Sequence, residues 1–181
     1  MDPYRLRVSR AKGVADPMEL AAPLDALFAA LKGIDPLLFT LSGHSPAMEI
    51  APLDSCARFL AVSEIGYGFG RQPGDPRDEV IFFNAFKDGR DVYFRLKNDP
   101  GLSIELRLGT DAAGPRDSGR GAHLQRLFGL LVKAIGAESG RIELPGHPEE
   151  VEAGWLTFRD GRATLQTPTL GLEGYEDLPR R

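Results

Sequence analysis

The chain is poor in the residues that most often announce chemistry. It holds one cysteine, one tryptophan and three histidines in 181 residues. Cys56 alone cannot close an internal disulfide, and no cysteine-rich metal pattern surrounds it. With no histidine near it in sequence, Cys56 reads as a small hydrophobe rather than a nucleophile. His44, His123 and His147 form no pair with metal-ligand spacing, and no Gly-x-Ser-x-Gly nucleophile elbow occurs. No apolar run reaches the length of a spanning helix, and Met1-Asp2-Pro3-Tyr4-Arg5 lacks the apolar segment of a signal peptide. A surplus of cations is missing too: 22 Lys and Arg against 26 Asp and Glu leave a net charge of -4. That balance argues against nucleic-acid binding by phosphate neutralisation and suits a basic partner. The expectation is a cytoplasmic, soluble protein that is not an enzyme and uses no cofactor, metal, nucleic acid or membrane.

What the chain does contain is patterned β-structure. Hydrophobic residues at 42% and charged residues at 27% are ordinary globular values, so residues 1–181 are read as one domain. Val80 to Phe86 is rich in β-branched and aromatic residues, and Asp88-Gly89 is the dipeptide of a two-residue hairpin. This turn pairs Lys87 with Arg90, Ala85 with Val92, Phe83 with Phe94 and Ile81 with Leu96. Val92, Phe94 and Leu96 then alternate with Tyr93, Arg95 and Lys97. After Asn98-Asp99-Pro100-Gly101, the residues Leu102, Ile104, Leu106 and Leu108 resume the alternation. Pairing Leu96 with Leu102 keeps the apolar residues on one side and sets Tyr93 opposite Glu105 and Asp91 opposite Arg107. The back face of the first strand carries Val80, Phe82 and Phe86, either covered as core or exposed to a partner.

Around this meander the elements are simpler. Tyr4 to Arg10 alternates as a half-buried strand at or near a sheet edge, where Arg5, Arg7 and Arg10 either form a basic strip or are edge-protecting charges on a solvated face. Asp16-Pro17-Met18-Glu19 opens a helix carrying Leu20, Leu24, Leu27, Phe28 and Leu31. Pro23 either kinks it or marks the start of its main body, and Gly33 stops it. Residues 34–52, broken by prolines and a glycine, read as connection with a short apolar run at Leu37-Leu38-Phe39. A further helix is expected over Leu53 to Glu64. Leu124, Leu127, Phe128, Leu131 and Ile135 share one broad helical face that should lie on the meander. His123 at its start is read as solvated. Arg141 to Leu144 is a short strand, and Asp160-Gly161 closes a hairpin between Leu156-Thr157-Phe158 and Ala163-Thr164-Leu165. The tail from about residue 171 has little apolar content and reads as flexible. The fold class is therefore α+β: a mainly antiparallel sheet, built of a meander and a C-terminal hairpin, packed by two or three helices.

Two segments are candidates for contact with another protein. Gly66 to Pro76 is glycine-rich, but a phosphate-binding loop needs a strand before it and a helix after it, and here prolines and a strand follow. Tyr67 and Phe69 beside Asp75, Asp78 and Glu79 suit protein contact better, the alternative being simple connection. The acidic run Glu149, Glu150 and Glu152 leads into Trp155, which either covers a second layer or anchors an interface.

The strand Tyr4-Arg5-Leu6-Arg7-Val8, the segment Glu19 to Leu31, Ile34-Asp35-Pro36, the Phe128-to-Ile135 helix and Gly154-Trp155-Leu156-Thr157-Phe158 together resemble the immunity 52 family of bacterial polymorphic-toxin systems. The resemblance implies a small α+β cytoplasmic protein that binds and neutralises a cognate toxin, often one delivered by type VI secretion. The toxins of that family resemble restriction-endonuclease-fold nucleases. A nuclease cleft is basic, so an acidic inhibitor associates with it faster and more selectively. On this reading Tyr67, Phe69, Asp75, Asp78, Glu79, Glu149, Glu150, Glu152 and Trp155 are the partner-binding residues. The alternatives are a secretion adaptor or chaperone for an effector, and a small hydrolase built from the scattered histidines, acids and serines.

Overall fold

Among the described residues, strand alternation and helical periodicity resolve, in a computed structural model, into one antiparallel sheet with two α-helices. The structure describes residues 4–35, 42–45, 48–52, 79–87, 90–98, 101–109, 119–143 and 156–165. The strands are β1 (Tyr4–Arg10), β2 (Ser42–Ser45), β3 (Met48–Pro52), β4 (Glu79–Lys87), β5 (Arg90–Asn98), β6 (Leu102–Leu108), β7 (Ser139–Glu143), β8 (Leu156–Arg159) and β9 (Arg162–Leu165). Their order across the sheet is β3-β2-β4-β5-β6-β1-β7-β8-β9. The helices are α1 (Ala21–Ile34) and α2 (Arg120–Ile135). This is the α+β, mainly antiparallel class expected from the alternation.

The first strand is not an edge strand. β1 lies between β6 and β7, with Tyr4 opposite Leu108 on one side and Arg5 opposite Glu143 on the other. The strand alternates as its sequence predicts, but its charges face outward from the middle of a sheet and guard no edge. Residues 34–52 differ as well, since β2 and β3 form there and β2 meets β4 at His44 and Ile81.

The meander register holds for Lys87 with Arg90, Ala85 with Val92 and Phe83 with Phe94. A register shift between Ile81 and Phe83 then places Ile81 opposite Arg95 and Val80 opposite Leu96. The β5–β6 hairpin is tighter than the expected pairing: Asn98 pairs with Leu102, Leu96 with Ile104 and Tyr93 with Arg107. A two-residue slip leaves every side chain on the same face, so alternation could not distinguish the two registers. The side chain of Asn98 supplies the missing information. It accepts from the Val14 amide at 2.9 Å and donates to the Val14 carbonyl at 2.8 Å, tying the hairpin end to the segment before α1.

Asp16 caps a short 3-10 turn over Pro17–Leu20 by accepting from the Met18 amide at 2.9 Å. The α-helix proper then starts at Ala21, so Pro23 falls in its first turn, where no intrahelical amide is required of it. The helix runs one residue past Gly33 to Ile34. α2 ends at Gly136, whose φ of +60° is the left-handed conformation that glycine adopts without strain.

The core lies between the helices and one face of the sheet. Leu24, Leu31, Phe94, Leu96, Leu106, Leu124 and Leu131 are fully buried there. Burial of each such side chain contributes about 2 kcal/mol before conformational entropy is subtracted. α1 packs on α2 and reaches the sheet through Phe28, whose ring meets Phe94 edge-on at 5.1 Å. α2 lies over β1 and also touches β6 and β7, as its apolar stripe predicts. Phe128 meets Phe158 of β8 edge-on at 6.2 Å. Asp160 and Gly161 take positive φ at the β8–β9 turn, the hairpin geometry expected of Asp-Gly.

The proposed helix over Leu53 to Glu64, Leu37-Leu38-Phe39, Cys56 and the tail from 171 lie outside the described residues. So do the side chains of Val80, Phe82 and Phe86. Among the described residues, no helix is long and apolar enough to cross a membrane.

Candidate functional site

The helices occupy the sheet face of Leu6, Phe94 and Ile104. On the opposite face, strand alternation projects polar residues, and the registers align them into rows across the strands. One row runs Lys97, Ser103, Ser9, Ser139, Arg159, Arg162. The next runs Arg95, Glu105, Arg7, Arg141, Thr157, Thr164. A third runs Tyr93, Arg107, Arg5, Glu143. These rows hold seven arginines and one lysine against two glutamates, a charge of +6. The whole chain carries -4, so the rest of the sequence carries -10. Most of that negative charge lies outside the described residues, so the modest net value conceals a locally basic sheet face.

The two acids at the centre are nearly out of solvent, Glu105 at 5% and Glu143 at 2% exposure. Glu105 accepts from Arg95 at 3.0 Å and from Arg107, and stands 3.2 Å from Arg7 Nε. Glu143 accepts from Arg7 Nη1 at 3.3 Å and pairs with Arg141. Arg7 therefore bridges both carboxylates from the central strand. Its Nε is in ion-pair range of Glu105, but its N–H makes no hydrogen bond with any acceptor. Burial pushes the Glu105 carboxyl up, yet the Arg107 hydrogen bond and the charges of Arg7, Arg107 and Arg95 outweigh it, and the group titrates below 4.5. Glu105 is thus a structural anion, and its ion pairs, with those of Glu143, hold the guanidinium planes in place. Arg107 also lies over the Tyr93 ring, 4.7 Å from its centroid.

Along the serine row, Ser9 Oγ and Ser139 Oγ are hydrogen-bonded at 2.9 Å. Between this row and the arginines the sheet is hollowed into a groove of about 390 Å³. Four guanidiniums line it, from Arg7, Arg95, Arg141 and Arg159, together with the hydroxyls of Ser9, Ser103, Ser139 and Thr157. Chemically, such a surface presents many fixed N–H and O–H donors and a positive field, which recognises oxyanions.

A smaller polar group sits where α2 begins. Arg120 is 3% exposed, donates to the Tyr4 hydroxyl at 3.1 Å and places its guanidinium 5.5 Å from that ring's centre. His123, one turn on, is half-buried and not solvated as expected, and titrates below 6.5. Burial lowers it, Asp35 partly opposes that, and Arg126 lowers it further.

Glu79, one of the residues assigned to a partner, opens β4 with its backbone opposite Lys97. Tyr67, Phe69, Asp75, Asp78, Glu149, Glu150, Glu152 and Trp155 lie outside the described residues. The arginine–glutamate lattice escaped the sequence reading because its members come from positions 7 to 143 with no local motif. The available signal was the polar half of each alternating strand, Arg5/Arg7, Arg95/Lys97, Glu105/Arg107 and Arg141/Glu143, summed across strands instead of read singly. Among the described residues no cluster of His, Cys, Asp and Glu has the makings of a metal site.

Comparison with family models, curated proteins and solved structures returns no match.

Proposed function

We propose that this chain is an immunity protein that binds a cognate secreted toxin, a nuclease in the first instance, and neutralises it by direct contact. The supporting observation is a two-layer fold in which one sheet face is given over to the core and the other to ordered charge, its rows across β5, β6, β1, β7, β8 and β9 carrying +6. Segregated charge steers association and selects partners without needing a reaction centre. The acids Asp75, Asp78, Glu79, Glu149, Glu150 and Glu152 meet the basic cleft that a nuclease needs for phosphate. Tyr67, Phe69 and Trp155 supply apolar anchors.

Co-expression with the toxin-like product of an adjacent gene tests this reading. Growth should be rescued and the two chains should co-purify. Reversing the charge of both acidic groups together should weaken the complex, with a larger effect at low salt than at high. Failure of both rescue and co-purification would overturn the assignment. Undiminished affinity in the charge-reversed variant would remove those acids from the interface.

A further inference from the structure

The groove on the basic face has no role in that reading, and its chemistry is specific enough to name a ligand. We propose that it is a binding site for a small phosphate monoester. Four guanidiniums and one carboxylate line it, leaving +3. A phosphate monoester near neutral pH carries close to -2 and three acceptor oxygens. The groove's charge has the sign and size to hold that dianion.

Donor count separates phosphate from carboxylate. A carboxylate has about four acceptor sites in one plane, and one or two guanidiniums saturate it. This groove is lined by four arginines and four hydroxyl-bearing residues, more donors than a planar group can accept. Pairing to Glu105 and Glu143 does not exclude an oxyanion at the same guanidinium, because each guanidinium carries five N–H groups. Arg7 makes the point directly, with a buried Nε–H that lacks a hydrogen-bonded acceptor although Glu105 is beside it. The paired acids hold the forks in fixed orientations, so little rotamer freedom remains to be lost on binding. A volume of about 390 Å³ falls in the range of small-molecule sites and leaves room for an organic group beside the phosphate.

Calorimetric titration of the full chain at fixed ionic strength tests the assignment, with inorganic phosphate, phenyl phosphate and hexaglutamate as probes. Both phosphates should bind saturably, phenyl phosphate more tightly. Arg159→Gln should weaken them about tenfold, since a charged hydrogen bond is lost. Arg159 is exposed and outside the lattice, so the fold is retained. Should that variant nevertheless unfold, Thr157→Val reports on the same groove. Lys133→Gln, an equal charge change on α2 across the sheet, should leave affinity unaltered. Equal weakening by Arg159→Gln and Lys133→Gln would show mere charge screening and overturn the proposal. Tighter binding of hexaglutamate than of either phosphate would overturn it in favour of an acidic peptide, and no saturable binding would overturn it outright. Because no toxin enters these titrations, their failure leaves the immunity reading standing.

Discussion

Arg7 and Glu143 are joined across the β1–β7 ladder at 3.3 Å, and the glutamate is only 2% exposed. The same guanidinium stands 3.2 Å from Glu105 on the other side, so one cation on the central strand serves two nearly buried anions. Strand pairing alone does not require this. Each ladder pairs without a register shift, and the lattice adds a second, side-chain connection over β6, β1 and β7.

Replacing Arg7 should therefore cost more than replacing any other cation of this face. Arg7→Met leaves two carboxylates without their shared partner in a poorly solvated position. The loss should be about 2–3 kcal/mol, below the value for a fully buried pair because Arg7 itself is 34% exposed. Arg162→Gln, on the exposed end of the same face, should fall within about 0.5 kcal/mol of the parent. Urea midpoints at unchanged slope measure the difference, and equal midpoints for the two variants would show that the bridge contributes nothing.

The lattice also shows which parts of the molecule could be read in advance. The stripe Leu124, Leu127, Phe128, Leu131 and Ile135 is a local pattern, and each of these residues is buried. The inward faces of β1, β5 and β6 were legible for the same reason, because alternation is a property of neighbouring residues. Order across the sheet is not. Tyr4 to Arg10 has the same alternation at an edge or in the middle, and the pairing with β7 depends on a segment more than 130 residues away. The β5–β6 register turned on Asn98 reaching Val14, a contact across 84 residues that no hairpin rule contains. Arg7, Glu105 and Glu143 read separately as solvated charges. Only their rows make them a site.

Acid should expose the role of Glu105. Its carboxyl titrates below 4.5 in the folded protein: burial raises it, but the Arg107 hydrogen bond and the charges of Arg7, Arg107 and Arg95 lower it more. A depressed carboxylate contributes stability that is fully present above the unfolded value and is lost as pH falls through the folded one. Glu105→Gln should be less stable than the parent at pH 7, and the two should converge as pH falls below 4.5. Parallel stability curves over that range would show that Glu105 is not linked to folding.

His123 makes a prediction at milder pH. Burial and Arg126 lower its folded value below 6.5 against the opposing pull of Asp35. Between 6.5 and that lower value the unfolded chain holds a proton that the folded chain does not, so stability falls as pH drops through the window. His123→Gln cannot take up the proton and should flatten this part of the profile. Urea midpoints at pH 7.5 and 5.5 measure it: the parent should lose stability between them and the variant should lose less.

Gly140 tests the packing of helix on sheet. A Cβ there would lie 2.6 Å from the Arg7 carbonyl oxygen, 2.9 Å from Phe128 Cζ and 3.1 Å from Val8 Cγ1. The ring can turn, but the carbonyl belongs to the β1 backbone opposite β7 and cannot move without opening the ladder that carries the Arg7 side chain. Gly140→Ala should accordingly destabilise the protein by about 1–3 kcal/mol through overpacking. Gly129→Ala is the control, since nothing lies within 4 Å of a Cβ at that helical position. There the change should be neutral or stabilising, because alanine is favoured over glycine inside a helix. If both variants shift the midpoint alike, the close approach of β7 to β1 under Phe128 is not what determines the requirement for glycine at 140.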